Sequence, residues 1–348
     1  MLKIKIRIFV VVVVMLVYQY ACAGTLGHYY PGVMGLRDII LPPKGFYIIS
    51  YNPVYYSNDY RNKNGDGVGN YSTTVSDFNI PGSQVPVTFS GGASADIDLA
   101  MSFQMQEFLL LWTPGWKFLG ADYGMMIVPS MGHVSVNIQV QASANGTIKI
   151  GETTKTVALG ETFKVKSQVF GFSDLLVQPL MLDWRGKRHD FGINYGFFIP
   201  TGDYSQNRIA NVGMGFWTQQ LQMFGAYYFN ENRSTATVFT ATYNLNSKMR
   251  GKNLTPGQSL ALEYGISQYL SPRLEVALTG YNQFQISSDT GSAAKNKNVW
   301  YQINGVGGQV TGWLIKERLG VTAKCSYEYY GVDRFRGLLG TANFILVF

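Results

Sequence analysis

The sequence predicts an all-β fold: a transmembrane antiparallel up-and-down β-barrel of about twelve strands, with both termini in the periplasm. The first observation is a strict alternation near the C-terminus. From Leu319 to Tyr330 apolar or aromatic residues alternate with smaller or polar ones, and Phe344, Leu346 and Phe348 occupy every second position of the last stretch. A period of two is typical of a strand with one apolar and one polar face.

The apolar face of these strands has no evident protein cover. The sequence shows no amphipathic helix and no second apolar sheet face that would bury it. Lipid is the alternative cover, and strands in lipid satisfy their backbone polar groups only by closing into a barrel. We therefore expect the apolar rows to face the membrane and the polar rows to face the interior.

Composition supports this prediction. Of the 348 residues, 46% are hydrophobic and only 14% are charged, whereas a soluble domain carries about 25% charged residues. The mean hydropathy of +0.01 is too low for a bundle of transmembrane helices. A barrel explains both values, because its strands are apolar on one face and polar on the other.

The N-terminus predicts export. Three basic residues precede a continuous apolar stretch from Ile8 to Val17, and Ala21-Cys22-Ala23 fits cleavage after Ala23. The stretch is too short for a membrane anchor. A lipoprotein acylated on Cys22 is an alternative that the preceding Gln19 and Tyr20 disfavour. We expect a signal peptide (1–23), an N-terminal periplasmic or lumenal segment (24–45) and a barrel (46–348) in the outer membrane.

Charge and cysteine content exclude other classes. Removal of the signal lowers the net charge from +7 to +4, which does not indicate a nucleic-acid partner. Cys325 is then the only cysteine, so no intrachain disulfide forms. It lies on the apolar row of its strand, where we interpret it as a small hydrophobic residue.

The same alternation assigns the faces of the other strands. The first runs from Phe46 to Tyr56 and the second from Asp96 to Trp112, where Glu107 falls on the apolar row. In these two strands we expect the following residues to face lipid: Tyr47, Ile49, Tyr51, Pro53, Tyr55, Ile97, Leu99, Met101, Phe103, Met105, Leu109 and Leu111. We expect Ser50, Asn52, Asp96, Asp98, Ser102, Gln104 and Gln106 inside.

Two long connections are expected to be loops. They span residues 58–92 and 142–170, and the second has a Thr-rich middle that would make a small hairpin. Asn62 to Gly67 resembles a calcium loop, but it lacks the first aspartate and has Tyr71 where the bidentate glutamate belongs. The three histidines show no metal spacing. We expect neither a metal nor a cofactor.

Long and short connections alternate along the chain. Those near 58, 142, 201, 248, 288 and 332 are expected outside the cell, and those near 114, 186, 231, 271 and 317 in the periplasm. Short periplasmic turns and longer outer loops are typical of outer-membrane barrels. Connection length is partly independent of strand alternation and therefore supports the strand assignment.

Ionisable and amide side chains on the polar rows are the candidate contacts for a permeant, because such groups at membrane depth pair or meet water. The candidates are Asp122, Asp174, Gln178, Asn194, Gln222, Glu263, Glu275, Lys324 and Glu328. They form either a lumen that selects permeants or a structural network that fills a narrow barrel. The sequence leaves both alternatives open.

The N-terminal segment carries further candidates. Its prolines and glycines argue against regular structure. We hypothesise that residues 24–44 enter the lumen and restrict the pore, with Asp174 and Gln178 as wall contacts. The segment candidates are His28, Tyr29, Tyr30 and Arg37.

Several blocks of the mature chain resemble one family. They are Gly27-His28-Tyr29-Tyr30-Pro31-Gly32-Val33-Met34-Gly35-Leu36, Leu41-Pro42-Pro43-Lys44-Gly45-Phe46-Tyr47, Gly171-Phe172-Ser173-Asp174-Leu175 through Pro179, Pro200-Thr201-Gly202-Asp203-Tyr204 and Leu262-Glu263-Tyr264-Gly265. The chain is similar to the outer-membrane proteins of the MetA-pathway of phenol degradation, or SphA-like transporters. The resemblance implies a channel for passive uptake of aromatic or other hydrophobic compounds.

The expected partners follow from this interpretation: the outer-membrane lipid bilayer, the barrel assembly machinery through the C-terminal Phe348, and a small-molecule permeant. The sequence leaves two alternative functions. A structural or adhesive surface protein would act through the loops around Asn62 and Thr153. An outer-membrane lipid hydrolase would use His133 and Ser135, which share a strand face but lack a nucleophile motif, so we expect no enzyme.

Overall fold

The computed structural model describes residues 27–79, 87–294, 297–315 and 318–348. The expected signal peptide (1–23) lies outside these ranges, as do Lys316 and Glu317 of an expected turn. All regular structure in the described residues is β. The strands are β1 (Gly45–Tyr51), β2 (Pro53–Ser57), β3 (Tyr60–Arg61), β4 (Asn70–Asn79), β5 (Val87–Thr113), β6 (Lys117–Phe118), β7 (Ala121–Val128), β8 (Ser130–Ile150), β9 (Thr153–Phe172), β10 (Leu175–Arg185), β11 (His189–Ile199), β12 (Thr218–Tyr228), β13 (Thr235–Asn246), β14 (Ser259–Ser271), β15 (Leu274–Gln285), β16 (Gln302–Ile315), β17 (Leu319–Val332), β18 (Arg334–Phe335) and β19 (Leu338–Val347). No helix of the described chain is long and apolar enough to cross a membrane.

Twelve antiparallel strands close into a barrel, as predicted. β1 continues into β2, β7 into β8 and β9 into β10, so each of these pairs counts as one barrel strand. Closure is made by β19, which pairs with β17 on one side and with β1 and β2 on the other. β3 and β18 form a separate two-stranded pair. β4 pairs with β5 and β6 pairs with β7, and neither counts as a barrel strand.

The connections divide between two ends of the barrel. We call one end the long-loop rim, because it carries the connections 200–217, 247–258 and 286–301. The other is the short-turn rim, with the connections 186–188 and 229–234. The alternation of long and short connections matches the sequence prediction, and the periplasmic location of the termini stays a prediction.

Three prolines interrupt the ladder on one side of the barrel. β1 ends before Asn52-Pro53, β7 ends before Pro129, and β10 shifts register around Pro179. Proline has no N–H to donate, so it is confined to strand starts and bulges. Beside Pro53, the Asn52 side chain donates from Nδ2 to the Ala342 carbonyl at 2.7 Å and replaces a backbone bond.

Strands β11 to β17 and β19 present the predicted faces. On β12, Leu221 and Met223 are exposed on the outside while Gln222 is buried. On β17, Tyr327 is exposed and Glu328 is buried. In this part of the barrel the apolar rows therefore face outward and the polar rows inward.

The prediction for the first barrel strand was wrong. Tyr47, Ile49, Tyr51 and Tyr55 are buried in the interior, and Pro53 is buried with them. The exposed side chains are Phe46, Val54 and Tyr56. Both rows of this strand carry aromatic or aliphatic residues, so alternation identified the strand but not its inner face. The interior is apolar here because the N-terminal segment packs against it.

The same reversal occurs on β5. Leu109 and Leu111 are buried in the interior, whereas Trp112 and Gln104 are exposed on the other face. Glu107 therefore shares the inward row with its apolar neighbours. The remaining residues of this strand keep that alternation: Ile97, Leu99, Met101, Phe103 and Met105 lie on the row of Leu109, and Asp98 and Gln106 are exposed opposite.

The described residues within 58–92, together with 142–170, are largely sheet, although both ranges were expected as loops. β4, the first half of β5, the second half of β8 and β9 extend the barrel wall in the order β4-β5-β8-β9. One face of the extension buries Phe89 against Ala144 and Ile148. Alternation was missed because glycine, serine and threonine interrupt it. The small hairpin expected within 142–170 is the continuation of two wall strands.

An ion-pair cluster joins two connections at the long-loop rim. Arg336 Nη2 lies 2.6 Å from Asp59 Oδ2, and Arg61 Nε lies 2.8 Å from Asp59 Oδ1. Partial burial raises the pKa of Asp59, but hydrogen bonds and charges from both arginines outweigh it and leave the pKa below its ordinary value. The cluster therefore stabilises the folded rim above the ordinary pKa, and this contribution is lost as the pH falls through the folded-state pKa.

We expect acidification to loosen this rim before the barrel unfolds. Amide hydrogen exchange in residues 57–67 and 332–338 should accelerate modestly between about pH 6 and about pH 3 beyond the intrinsic rate change, because Asp59 takes up a proton. Asp59→Asn should show fast exchange at both pH values. An acid-induced acceleration that persists in Asp59→Asn would contradict the assignment.

Candidate functional site

The N-terminal segment, residues 27–44, lies inside the barrel. It contacts strands on several sides of the wall and runs between the two rims. Its first part lies at Asp174, beside the long-loop rim. Its last part reaches the short-turn rim, where the Arg185 guanidinium donates to the Leu41 carbonyl and Thr113 Oγ1 donates to the Pro43 carbonyl at 2.6 Å.

His28 anchors the first part of the segment, beside the long-loop rim. Its Nε2 lies 2.8 Å from Asp174 Oδ2, and its Nδ1 lies 2.7 Å from Thr218 Oγ1. The imidazole stacks on Phe198 at a centroid distance of 4.6 Å. Asp174 also accepts the backbone N–H groups of Gly202 and Met214. One buried carboxylate thus ties the segment to a long loop and to the wall.

Tyr29 and the Pro31-Gly32 turn share one acceptor. The Tyr29 hydroxyl donates to Glu263 Oε1, and the Gly32 N–H donates to Glu263 Oε2 at 2.8 Å. Gly32 has a φ of +89°, and a Cβ there would lie 2.7 Å from a ring carbon of Tyr281. Only glycine fits this turn, because other residues disfavour the left-handed region and would also collide with the ring.

The Glu328 carboxylate accepts hydrogen bonds from the next tyrosine of the segment and from two tyrosines of the wall. The hydroxyls of Tyr30, Tyr55 and Tyr281 donate to its carboxylate at 3.1, 2.8 and 3.1 Å, and the Gly337 N–H donates at 2.8 Å. The side chain is fully buried. Four donors satisfy a buried charge that would otherwise be costly.

Arg37 anchors the part of the segment that lies near the short-turn rim. Its Nε lies 2.7 Å from Glu275 Oε1, but its N–H points to Ser267 Oγ at 2.7 Å, so the contact with Glu275 is an ion pair without a directed hydrogen bond. The Nη1 and Nη2 groups donate to the carbonyls of Arg233 and Ser234. The guanidinium therefore fastens the segment to a turn of the short-turn rim.

Breaking this anchor should destabilise the barrel. Arg37→Met is expected to lower the free energy of unfolding by about 3 kcal/mol, because it leaves Glu275 buried without its cation. The double variant Arg37→Met/Glu275→Leu should recover most of the loss. Urea unfolding of protein refolded in lipid measures both.

Arg208→Met, in the more exposed pair with Asp203, is the matched control and should cost under about 1 kcal/mol. Equal losses for the Arg37 and Arg208 variants would contradict a special role of Arg37.

The remaining candidates lie in different environments. Lys324 Nζ donates to the Met34 carbonyl at 2.8 Å. Gln178 does not contact the segment by hydrogen bond; its Nε2 donates to Gln220 and to Gln222. Asn194 is buried without a hydrogen-bond partner among the described residues. Asp122 lies apart from this group, paired with Lys117 at 2.6 Å and with Arg185 at 3.4 Å.

The interior has two chemically different walls. The apolar wall belongs to neighbouring strands β19, β1, β2, β5, β7 and β10, and its buried residues are Tyr47, Ile49, Tyr51, Tyr55, Leu109, Leu111, Met126, Val128, Met181 and Leu339. The polar wall belongs to β11–β17, with buried residues that include Asn194, Gln220, Gln222, Thr240, Thr242, Asn244, Gln283, Gln309, Thr322, Lys324 and Glu328. Val33 and Leu41 of the segment pack on the apolar wall.

A cavity of about 120 Å³ lies where the two walls meet. Leu109, Met126 and Val128 line it from the apolar wall, and Gln220 and Gln222 line it from the polar wall. An engineered apolar cavity of about 150 Å³ holds one benzene molecule. The space is therefore close to the size of one aromatic ring, with apolar and polar contacts on opposite sides.

Sequence reasoning missed the aromatic part of this site. Tyr51 and Tyr55 were expected to face lipid, and Tyr281 was not among the candidates. All three are buried in the interior. Arg334 was also missed: it lies 5.1 Å over the Tyr30 ring and donates to Gln283 at 2.7 Å. The position of Arg334 beside the predicted turn near 332 was the only available signal.

Neither a metal site nor a catalytic pair emerges from the part of the chain that is described. No cluster of histidine, cysteine or carboxylate side chains there could hold a metal ion. Ser135 is buried and accepts from Gln168 Nε2 at 3.3 Å. No hydrogen bond between His133 and Ser135 occurs in the described residues. The absence of enzymatic activity stays a prediction.

The fold and the filled interior define the class: a twelve-stranded transmembrane β-barrel of the outer-membrane type. The family described as "Putative MetA-pathway of phenol degradation" matches residues 61–344. The chain therefore belongs to this family, as its sequence blocks indicated. A search of curated protein sequences returned no significant match.

Two solved outer-membrane proteins were compared with this chain. The COG4313 outer membrane channel from Pseudomonas putida F1 superposes with a TM-score of 0.63 at 12% identity, over 92% of this chain and 100% of that one. A Pseudomonas aeruginosa FadL homologue gives a TM-score of 0.29 at 11% identity, over 93% of this chain and 94% of that one. The first similarity shows a common fold, and the second is too low to support a statement about this chain.

Proposed function

We propose that the protein is an outer-membrane channel for the passive uptake of small compounds that combine an apolar ring with a polar group. The observation that carries this proposal is the ring-sized cavity between an apolar and a polar wall. A general pore for hydrophilic solutes has no need of an aromatic and aliphatic inner wall. An aromatic ring would pack against Leu109 and Met126 while its polar substituent meets the glutamines opposite.

The route of the permeant follows from the position of the cavity. The permeant enters from the long-loop rim, which we propose to face the outside, and passes the N-terminal segment before leaving at the short-turn rim. The segment, fixed by His28, Glu263, Glu328 and Arg37, narrows this path. Both termini are proposed to lie in the periplasm after export and removal of residues 1–23.

Insertion into the outer membrane is proposed to use the C-terminal Phe348. Its ring is exposed on the outside of the barrel, next to Phe46 at a centroid distance of 6.4 Å. A terminal aromatic residue in this place is accessible to the barrel assembly machinery and to lipid. The bilayer covers the exposed apolar rows.

Liposome swelling tests the permeant class. Phenylglycine and glutamine are zwitterions of similar mass that cross a bare bilayer slowly, but only phenylglycine carries a ring. Proteoliposomes should swell several-fold faster in phenylglycine than in glutamine, because the ring gains contact with the apolar wall. Equal rates would indicate a pore that selects by size alone, and protein-free liposomes provide the baseline.

A further inference from the structure

Glu107 is a carboxylic acid on a wall that is mainly apolar. It lies on β5, on the inward row that continues to Leu109, and it lines the ring-sized cavity. No hydrogen bond or ion pair reaches its carboxyl group from any described residue. Tyr51, which also lines the cavity, donates its hydroxyl to Asp38 instead.

Four other carboxylates of the interior have partners in the segment. Asp174, Glu263 and Glu328 accept hydrogen bonds from the segment, and Glu275 pairs with Arg37. A carboxyl group beside aliphatic side chains and without a partner is unfavourable unless something that enters the cavity hydrogen-bonds to it. Packing alone does not account for Glu107, because a leucine would fill the same position.

Gln178 provides an independent observation on the same cavity. Its side chain is 1% exposed and lines the cavity from β10. Its Nε2 donates to the side-chain oxygens of Gln220 and Gln222, while its Oε1 has no hydrogen-bond partner in the described chain. Buried amide oxygens are rarely left unpaired. The cavity thus presents two free acceptors, Glu107 and Gln178 Oε1.

We propose that Glu107 and Gln178 form a recognition site for the hydrogen-bond donor of a neutral, ring-sized permeant such as an aromatic alcohol or a phenol. The ring lies on Leu109 and Met126, and its hydroxyl donates to the Glu107 carboxyl group, next to Gln178 Oε1. This assignment rests on the proposed function and adds to it: the channel selects rings that carry a donor over rings that do not.

Binding of two matched probes tests the site. Phenol and anisole share one ring, but only phenol has a donor. Titration calorimetry of the full mature protein in lipid nanodiscs, with empty nanodiscs subtracted to correct for partitioning, should give an affinity for phenol about tenfold above that for anisole. Glu107→Leu should bring the two affinities together, and Glu107→Gln, which keeps an acceptor, should leave a preference of about threefold.

A matched control and a folding check make the result decisive. Glu231→Gln, on an exposed turn of the short-turn rim, should keep the full preference for phenol. Heat-modifiable electrophoretic mobility reports whether each variant is folded, and Glu107→Gln carries the test if Glu107→Leu fails to fold. A phenol preference that stays at about tenfold in the Glu107 variants that fold overturns the assignment. If the wild-type protein binds phenol and anisole equally, the recognition site is overturned and the channel proposal stands. If it binds neither probe, both proposals fail.

Discussion

Removal of residues 24–41 from the mature chain is expected to raise the single-channel conductance several-fold. The segment fills the space between the apolar and polar walls and is tied to both rims. The deletion leaves the Pro43 carbonyl and its bond from Thr113 in place, so the start of β1 keeps its anchor. Planar-bilayer recording of the deleted and full-length proteins measures the change.

The control for this deletion is a change of similar kind outside the lumen. Shortening the tip of the β8–β9 hairpin removes chain from the extension but none from the barrel interior. That variant should keep the conductance of the full-length protein. If the segment deletion folds, as judged by heat-modifiable mobility, and conducts no better than the full-length protein, then the segment does not restrict the pore.

Glu328→Ala is expected to lower the free energy of unfolding by about 5 kcal/mol. Three tyrosine hydroxyls and the Gly337 N–H lose their acceptor in a fully buried site, and each unsatisfied donor costs about 1–3 kcal/mol. Some of the loss is recovered if water enters the space. Urea unfolding in lipid, followed by tryptophan fluorescence, measures the difference.

Two further variants separate the causes of that loss. Glu328→Gln keeps the size and one acceptor oxygen and should lose about half as much as Glu328→Ala. Tyr55→Phe removes a single donor and should cost about 1 kcal/mol. A loss below about 1 kcal/mol for Glu328→Ala would mean that the carboxylate is not the centre of this network.

The sequence was sufficient to predict the barrel but not which side of every strand is inside. Alternation identifies strands from spacing alone, and a charged residue such as Lys324 or Glu328 on a row indicates the lumen, since lipid excludes it. β1 carries no such residue. On β5 the apolar row faces a lumen that is itself apolar, so the assumption that apolar means outward failed.

Long-range contacts of the site were beyond the sequence for a different reason. His28 and Asp174 are separated by 146 residues, and no local spacing determines which carboxylate a segment side chain reaches. The proposed role of the segment could be stated because its prolines and glycines exclude a strand. Its partners, and the tyrosines around Glu328, required the three-dimensional arrangement.

The pairing of β1 with β19 constrains the order of folding events. The barrel cannot close until β19 pairs with β1, about three hundred residues away in the chain. Residues 27–44 immediately precede β1 and end up enclosed, so they must be laid against the growing sheet while one seam is still open. A late, slow closing step is expected for so non-local a topology. An agent that keeps β1 and β19 apart would also leave the barrel interior open to solvent.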